Sequence, residues 1–451
     1  MNSRRVRYLF VLVALLPVSV ANADTTAFIN VNVLPMTDDT VVPARTVVVV
    51  DDRIATIGPV ESTVVPDEAV LVDGTDRFLM PGLTEMHGHV TSTRPADLDR
   101  LLGLFLANGV TTVRGMLGRP SHLTLRADLA AGRVLGPRLI TSGPSFNGNS
   151  VSSPAQAEAM VREQHAAGYD FLKIHPGLTR AEFSAMADTA SELGIRFAGH
   201  VPADVGVPAA LAAGIATIDH LDGYMESLIP VHDDPTGGIG GFFGLRLAGV
   251  ADASRIEAIA QATVAAGTGT VATESLFEHT ANHVPPEGMA ELPEMRFADP
   301  ADLAAWTQIK RNLHADPQFD RAVADRAIEL RRALILALHR AGPDLMLLGS
   351  DSPQRFNIPG FALHRELGFL VAAGLSPYEA LRSGTVNPAR FFDELTDRGT
   401  LEVGKIADLV MLDENPLDDI GNSRRVHGTM LRGVWLSRQK LDELLHLAAP
   451  E

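Results

Sequence analysis

Six residues of this 451-residue chain carry side chains suited to metal and proton chemistry, five at the ends of apolar runs and one inside such a run. His87 and His89 stand two apart in "MPGLTEMHGHV", Lys173 lies in "YDFLKIHPG", His200 closes "IRFAGHVP", His220 closes "IATIDHLDG", and Asp351 closes "DLMLLGSDSP". If residues 83–89 form a strand, alternate side chains share a face, so His87 and His89 point the same way as a chelating pair of imidazoles. Taken singly, each residue has an ordinary reading. A histidine after a strand is usually a hydrogen-bonded structural residue, Asp351 before Ser352-Pro353 can cap a helix, and a strand lysine usually snorkels outward. Taken together, five apolar runs end in order on a ligand type and none interrupts a helix, which is the pattern of a functional constellation. Lys173 differs from the rest because burial disfavours its charge and frees a neutral amine. Such an amine can add carbon dioxide, and the resulting carbamate is an anion able to bridge two cations.

The elements that must position these residues are legible as alternation. Short apolar runs at 83–89, 111–114, 138–142, 171–175, 196–200, 217–221, 269–273 and 345–350 alternate with amphipathic segments, which predicts a (β/α)8 TIM barrel whose catalytic groups sit at the C-terminal strand ends. "TRAEFSAMADTASELG" reads as a helix with Thr179 and Glu182 as capping box and Gly194 as stop, and "SPYEALRSG" as another with Ser376, Pro377 and Glu379 at its start. Residues 26–77 and the far C-terminal part are short β-rich runs broken by Asp, Gly and Pro, as expected of one small β-sandwich built from both chain ends. The expected division is an export signal at 1–23, the sandwich at 24–80 and 398–451, and the barrel at 81–397. Residues 225–344 read as an insertion over the barrel mouth, with "PTGGIGGFFG" and a long charged helical stretch, suited either to a lid or to plain packing.

Composition narrows the function. A formal net charge of −17 argues against nucleic acid and anionic membrane surfaces as partners. Arg4, Arg5 and Arg7, an apolar run too short to span a bilayer, and Ala21-Asn22-Ala23 have the layout of a cleaved export signal, so a periplasmic or secreted protein is expected, with no membrane contact after processing. Cysteine is absent, so a metal site must use imidazole, carboxylate or a modified side chain.

These residues make the family recognisable. "MPGLTEMHGHV", "GVTTVRG", "GPRLITSG", "YDFLKIH", "IDHLDG", "GSDSP", "HRELGFLVAAGLSPYEALRSGTVNPARFF" and "GTLEVGKIADLVMLDENPLDDI" resemble the metal-dependent amidohydrolase superfamily, in particular its imidazolonepropionase-like and prolidase-like branch with a carboxylated lysine. The resemblance implies two divalent metal ions, zinc by default, with His87, His89 and Asp351 on the first, His200 and His220 on the second, and carboxylated Lys173 and a hydroxide between them. It implies hydrolysis of an amide or other C–N bond of a small substrate, with Asp351 moving the proton, and a prolidase-like dipeptidase as the alternative. Arg114, His175 and Tyr224 lie where a substrate contact is expected, with loop packing equally open to them, and homo-oligomerisation is left open. Two departures stand out: Arg114 is followed by Gly115 where relatives have an acid, and "SGPSFNGNSVSSP" carries Asn147 and Asn149 where prolidase-like members carry a histidine.

Overall fold

The computed structural model describes residues 25–230 and 240–450, so the expected export signal lies outside the described residues. Both chain ends contribute to one eight-stranded sheet. Strands β1 (Thr25–Val33), β2 (Val42–Val50), β3 (Arg53–Pro59), β4 (Val70–Asp73) and β5 (Phe78–Pro81) come from the N-terminal side. From the C-terminal side come β13 (Leu409–Leu412), β14 (Val426–Leu431) and β15 (Val434–Leu436). The order is β15-β14-β13-β5-β1-β2-β3, with β4 paired to β1. The sequence predicts two facing sheets here, whereas the ladder runs continuously through one. The cause lies in β1, which is bulged around Asn30 (φ 58°) and pairs β4 over Thr26–Ile29 and β5 over Asn32–Val33. The sheet wraps its own core of Phe28, Val47, Leu79, Leu409, Met411 and Met430, with Phe28 edge-on to Trp435.

Between these ends the chain forms an α/β unit with two parallel sheets. One holds β6 (Leu83–Gly88), β7 (Val110–Gly115) and β8 (Arg138–Thr141); the other holds β9 (Leu172–Ile174), β10 (Phe197–Gly199), β11 (Thr217–Asp219) and β12 (Gly269–Val271). Seven of the eight expected strands are therefore present, six of them trimmed at an end and β7 one residue longer at each end. The eighth, expected at 345–350, is not a regular strand. Pro343–Leu345 is a 3-10 turn, and the following N–H groups are shared out among several acceptors. Leu347 donates to Thr270, Leu348 to Ser383, Ser350 to the Glu85 carboxylate and Asp351 to His87. A side-chain carboxylate and the carbonyl at the end of the Pro377–Ser383 helix thus stand where ladder partners were expected.

The helices obey their caps. Arg180–Leu193 starts at the Thr179–Glu182 capping box and stops at Gly194 in the left-handed region (φ 68°), and Pro377–Ser383 carries the Ser376–Glu379 box. The C-terminal helix Arg438–Ala448 lies in the stretch expected to be sandwich. Its apolar stripe explains it, since Leu441 and Leu444 join the large core and pack on the Pro95–Ala107 helix. Fully burying a leucine there stabilises by roughly 1.5–3 kcal/mol. In the expected insertion, the described residues form helices Pro300–Ala315 and Arg321–Ala341 and the short turn Phe242–Gly249.

Candidate metal centre

The ends of β6, β9, β10 and β11 and the segment after residue 346 bring the six candidate residues to one rim. Ligand atoms of His87, His220 and Asp351 all lie within 4.8 Å of one another, and all three side chains are buried. Asp351 Oδ1 is 2.6 Å from His89 Nε2 and 3.6 Å from His87 Nε2, while its Oδ2 is 3.5 Å from His220 Nδ1. The His87 and His220 rings are 4.4 Å apart, His220 and His200 4.5 Å, and His200 and His175 5.1 Å. Lys173 Nζ lies 3.4 Å from His87 Nε2 and 4.0 Å from Asp219 Oδ2, with no exposed side-chain surface.

Holding these groups together costs backbone strain. His220 (φ 66°), Leu221 (φ 52°), Thr273 (φ 46°) and Asp351 (φ 59°) are all left-handed without being glycine. Each such residue costs about 1–2 kcal/mol and persists only where its surroundings dictate it. Those surroundings are polar side chains that the sequence reading passed over. Glu85 accepts from the N–H of His87 (2.9 Å) and of Ser350 (2.8 Å), and from the Ser350 hydroxyl, which ties the β6 histidines to the Asp351 turn. Asp222 Oδ2 pairs with His200 Nδ1 at 2.9 Å, Thr273 Oγ1 with His220 Nδ1 at 2.9 Å, and Asp219 Oδ2 lies 2.9 Å from His87 Nδ1. The carboxylates flanking the histidine in "IDHLDG" were the one available signal.

Burial sets the charges. It pushes the Lys173 amine down to about 8, with Asp219 and Asp351 pulling the other way. Burial and then the Lys173 cation hold His87 well below its usual range. His220 is likewise depressed by burial and then by neighbouring His87, and burial followed by Lys173 takes His175 down to about 2. Neutral imidazoles beside a carboxylate are the donor set a divalent cation needs. The ring nitrogens Nδ1 of His89 and His175 are buried without a hydrogen-bond partner. The residues present therefore fit a metal, and a nitrogen–oxygen set without sulfur suits zinc, manganese, cobalt or iron.

The three expected substrate contacts separate. His175 stacks on His200 as described above. Arg114 stands near the C-terminal end of β7 with its guanidinium buried, donating to Met86 O and Thr217 Oγ1 and pairing at 3.3 Å with Asp219, the carboxylate that meets His87. It lines a cavity of about 200 Å3 with Arg138, Asp170 and Arg196, away from the rim. Tyr224 is also fully buried, its hydroxyl 3.0 Å from Thr263 Oγ1, and burial pushes it up to about 12. Tyr224 is thus committed to packing, and Arg114 to the carboxylate that meets His87. The face they were expected to occupy is covered instead by Phe243, whose ring lies 5.0 Å from that of His220 and 6.1 Å from that of His200. The Phe242 ring packs on that of Phe243 at 4.5 Å, and the Arg355 guanidinium lies 4.6 Å from the Phe242 ring centre.

A model of the amidohydrolase family matches residues 78–436. A bottromycin amidohydrolase structure is 23% identical with a TM-score of 0.70, over 94% of this chain and 90% of that one. A Xaa-Pro dipeptidase with methionine bound in its active site is 18% identical with a TM-score of 0.65, over 92% and 100%. A prolidase complexed with N-methylphosphonate-L-proline is 22% identical with a TM-score of 0.65, over 92% and 100%. No curated protein matches the chain.

Proposed function

The chain belongs to the amidohydrolase family, enzymes that hydrolyse C–N bonds, and from that premise we propose that it is an exported binuclear metallohydrolase of small amides. The observation that carries this reading is the buried convergence of His87, His220 and Asp351 within 4.8 Å. In this reading His87, His89 and Asp351 hold one divalent ion, His200 and His220 hold a second, and Lys173 is carboxylated between them. That closest trio takes two residues from the first set and one from the second, as expected where two sites adjoin. The Lys173 amine, lowered to about 8, supports the carbamate because only the neutral amine adds carbon dioxide. We also read the two parallel sheets as one (β/α)8 barrel. Backbone bridges from Ser142 to Phe171, from Thr270 to Met346 and from Gly88 to Ser352 support closure. The chain-end sheet is read as a separate unit and the leader as an export signal.

When bound, the metals supply a water of lowered pKa and polarise the scissile carbonyl. The chain's own residues do the rest. Asp351, fixed on one side by His89 at 2.6 Å, takes the proton of the attacking water and returns it to the leaving amine. Glu85 holds the two backbone segments that carry His87 and Asp351. Phe243 roofs the His200 and His220 rings and keeps bulk water from that flank.

A prolidase-like dipeptidase is the second reading. One observation favours it: Arg355, near Asp351 at the mouth, pairs with no carboxylate among the described residues and would suit the free carboxylate of a peptide. The deciding experiment is metal analysis of purified protein followed by assay against N-acyl amino acids, dipeptides and lactams. About two metals per chain and loss of activity on chelation are expected. Protein that binds no divalent metal would end both readings.

A further inference from the structure

Behind the rim lies a second buried ionic cluster that the reaction itself does not use. Arg331 is on the Arg321–Ala341 helix, far from His220 in sequence, and its side chain has no exposed surface. All three kinds of guanidinium nitrogen are engaged. Nε donates to Glu274 Oε2 at 2.8 Å, Nη1 to the backbone carbonyl of His220 at 2.9 Å, and Nη2 to that of Ala272 at 3.2 Å. The guanidinium also lies 4.2 Å from the centre of the Phe277 ring. Glu274 begins the Glu274–Ala281 helix, and Glu366 accepts from the N–H groups of Glu274 (2.8 Å) and Ser275 (2.6 Å). Asn357 continues the chain of contacts, donating to Ser275 Oγ and to the carbonyl of Ser350, next to Asp351.

We propose that Arg331, anchored by Glu274, is a positioning residue that holds His220 in ligating geometry. His220 is left-handed, and so are its neighbour Leu221 and the Thr273 that pairs with its ring. Such a backbone springs back unless its peptide groups are held. The His220 N–H is held by the carbonyl of Val271 at 2.8 Å, and its carbonyl by Arg331. The same guanidinium holds Ala272, the residue before Thr273, so one fork fixes both the backbone of His220 and the residue that orients its ring. A neutral side chain, or a lysine with a single ammonium, cannot span the two carbonyls and Glu274 together. The long helical unit after residue 240 therefore contributes a clamp to the rim from behind.

This inference rests on the reading of His220 as a metal ligand. Its test uses Arg331→Met/Glu274→Met, which removes both charges and leaves apolar volume in place. Expected are a melting temperature close to wild type, a fall of about tenfold or more in affinity for the more weakly held metal, and a lower kcat with KM changed less than about threefold. Metal affinity is read by titrating metal-free protein with cobalt and following its absorption, independently of activity. Arg332→Met is the control, since Arg332, next to Arg331 on its helix, pairs instead with Glu278 of the Glu274–Ala281 helix. It should leave metal affinity unchanged. Wild-type cobalt affinity and kcat in the folded double variant would overturn the inference. If that variant does not fold, Arg331→Lys decides: about tenfold weaker cobalt binding supports the clamp, and unchanged binding refutes it. Wild-type protein that takes up no cobalt would sink the metal-site reading itself, an outcome distinct from either of these.

Discussion

Lys173 and Arg331 are both cations with no exposed side-chain surface, and each lies against a histidine of the rim, His87 and His220 respectively, yet they are held in opposite ways. Arg331 has three acceptors between 2.8 and 3.2 Å, one of them the carboxylate of Glu274. Lys173 Nζ has an imidazole nitrogen at 3.4 Å and a carboxylate oxygen no nearer than 4.0 Å. Burial therefore acts differently on them. It brings Lys173 down to about 8, where the amine can give up its proton and react, while the Arg331 guanidinium is spent on fixing its neighbours. A buried charge left short of partners marks chemistry, and one that is fully engaged marks architecture.

The sharpest way to break this comparison lies at the rim. Asp351→Asn keeps the shape of the side chain but loses the proton acceptor, so kcat should fall by about 10³-fold with an unchanged circular dichroism spectrum. Activity within a few fold of wild type would remove Asp351 from proton transfer. The two cations should then respond in opposite senses. Arg331→Met alone leaves Glu274 buried without its partner and should cost about 3–5 kcal/mol of stability in urea titrations. Lys173→Met should instead raise the stability of metal-free protein near pH 7, on the order of 1–3 kcal/mol, while abolishing tight binding of the second metal. If both variants lose stability alike, the contrast is wrong.

The pH dependence sharpens the same point. The folded Lys173 pKa, about 8, lies below that of the unfolded chain. Between about 8 and the usual lysine value the unfolded chain binds the extra proton, so the stability of metal-free protein should rise with pH across that window. In Lys173→Met that rise should be weaker. On the acid side His87, His175 and His220 stay neutral when folded, so stability should fall as pH drops below about 6.5 and the unfolded histidines take up protons. A flat profile of urea midpoints between pH 7.5 and 5 would contradict the buried neutral cluster. The smallest effect belongs to Phe243→Ala. It uncovers two rings without removing a ligand, and should change KM by several fold with metal content unchanged, as read by steady-state assay and metal analysis.

Much of this was legible in the chain itself. The period of apolar runs placed seven strands, and the capping boxes at Thr179–Glu182 and Ser376–Glu379 placed two helix starts, because both signals are local and depend on neighbours a few residues away. The same periodicity put His87, His89, His200, His220 and Asp351 at the ends of such runs and Lys173 inside one. What the sequence could not supply was direction. Arg114 and Tyr224 sit in the right stretches but point at Asp219 and Thr263, and nothing local distinguishes a side chain facing the rim from one facing the packing behind it. The irregular segment that stands for the eighth strand depends on the Glu85 carboxylate reaching Ser350, and the cover of the rim depends on Phe243 arriving from a separate segment. Residue type and spacing thus determined which groups exist and roughly where along each strand they lie. Which of them meet was decided by contacts between segments more than a hundred residues apart, such as the Arg331 fork on His220, because long-range pairing leaves no periodic trace in either partner.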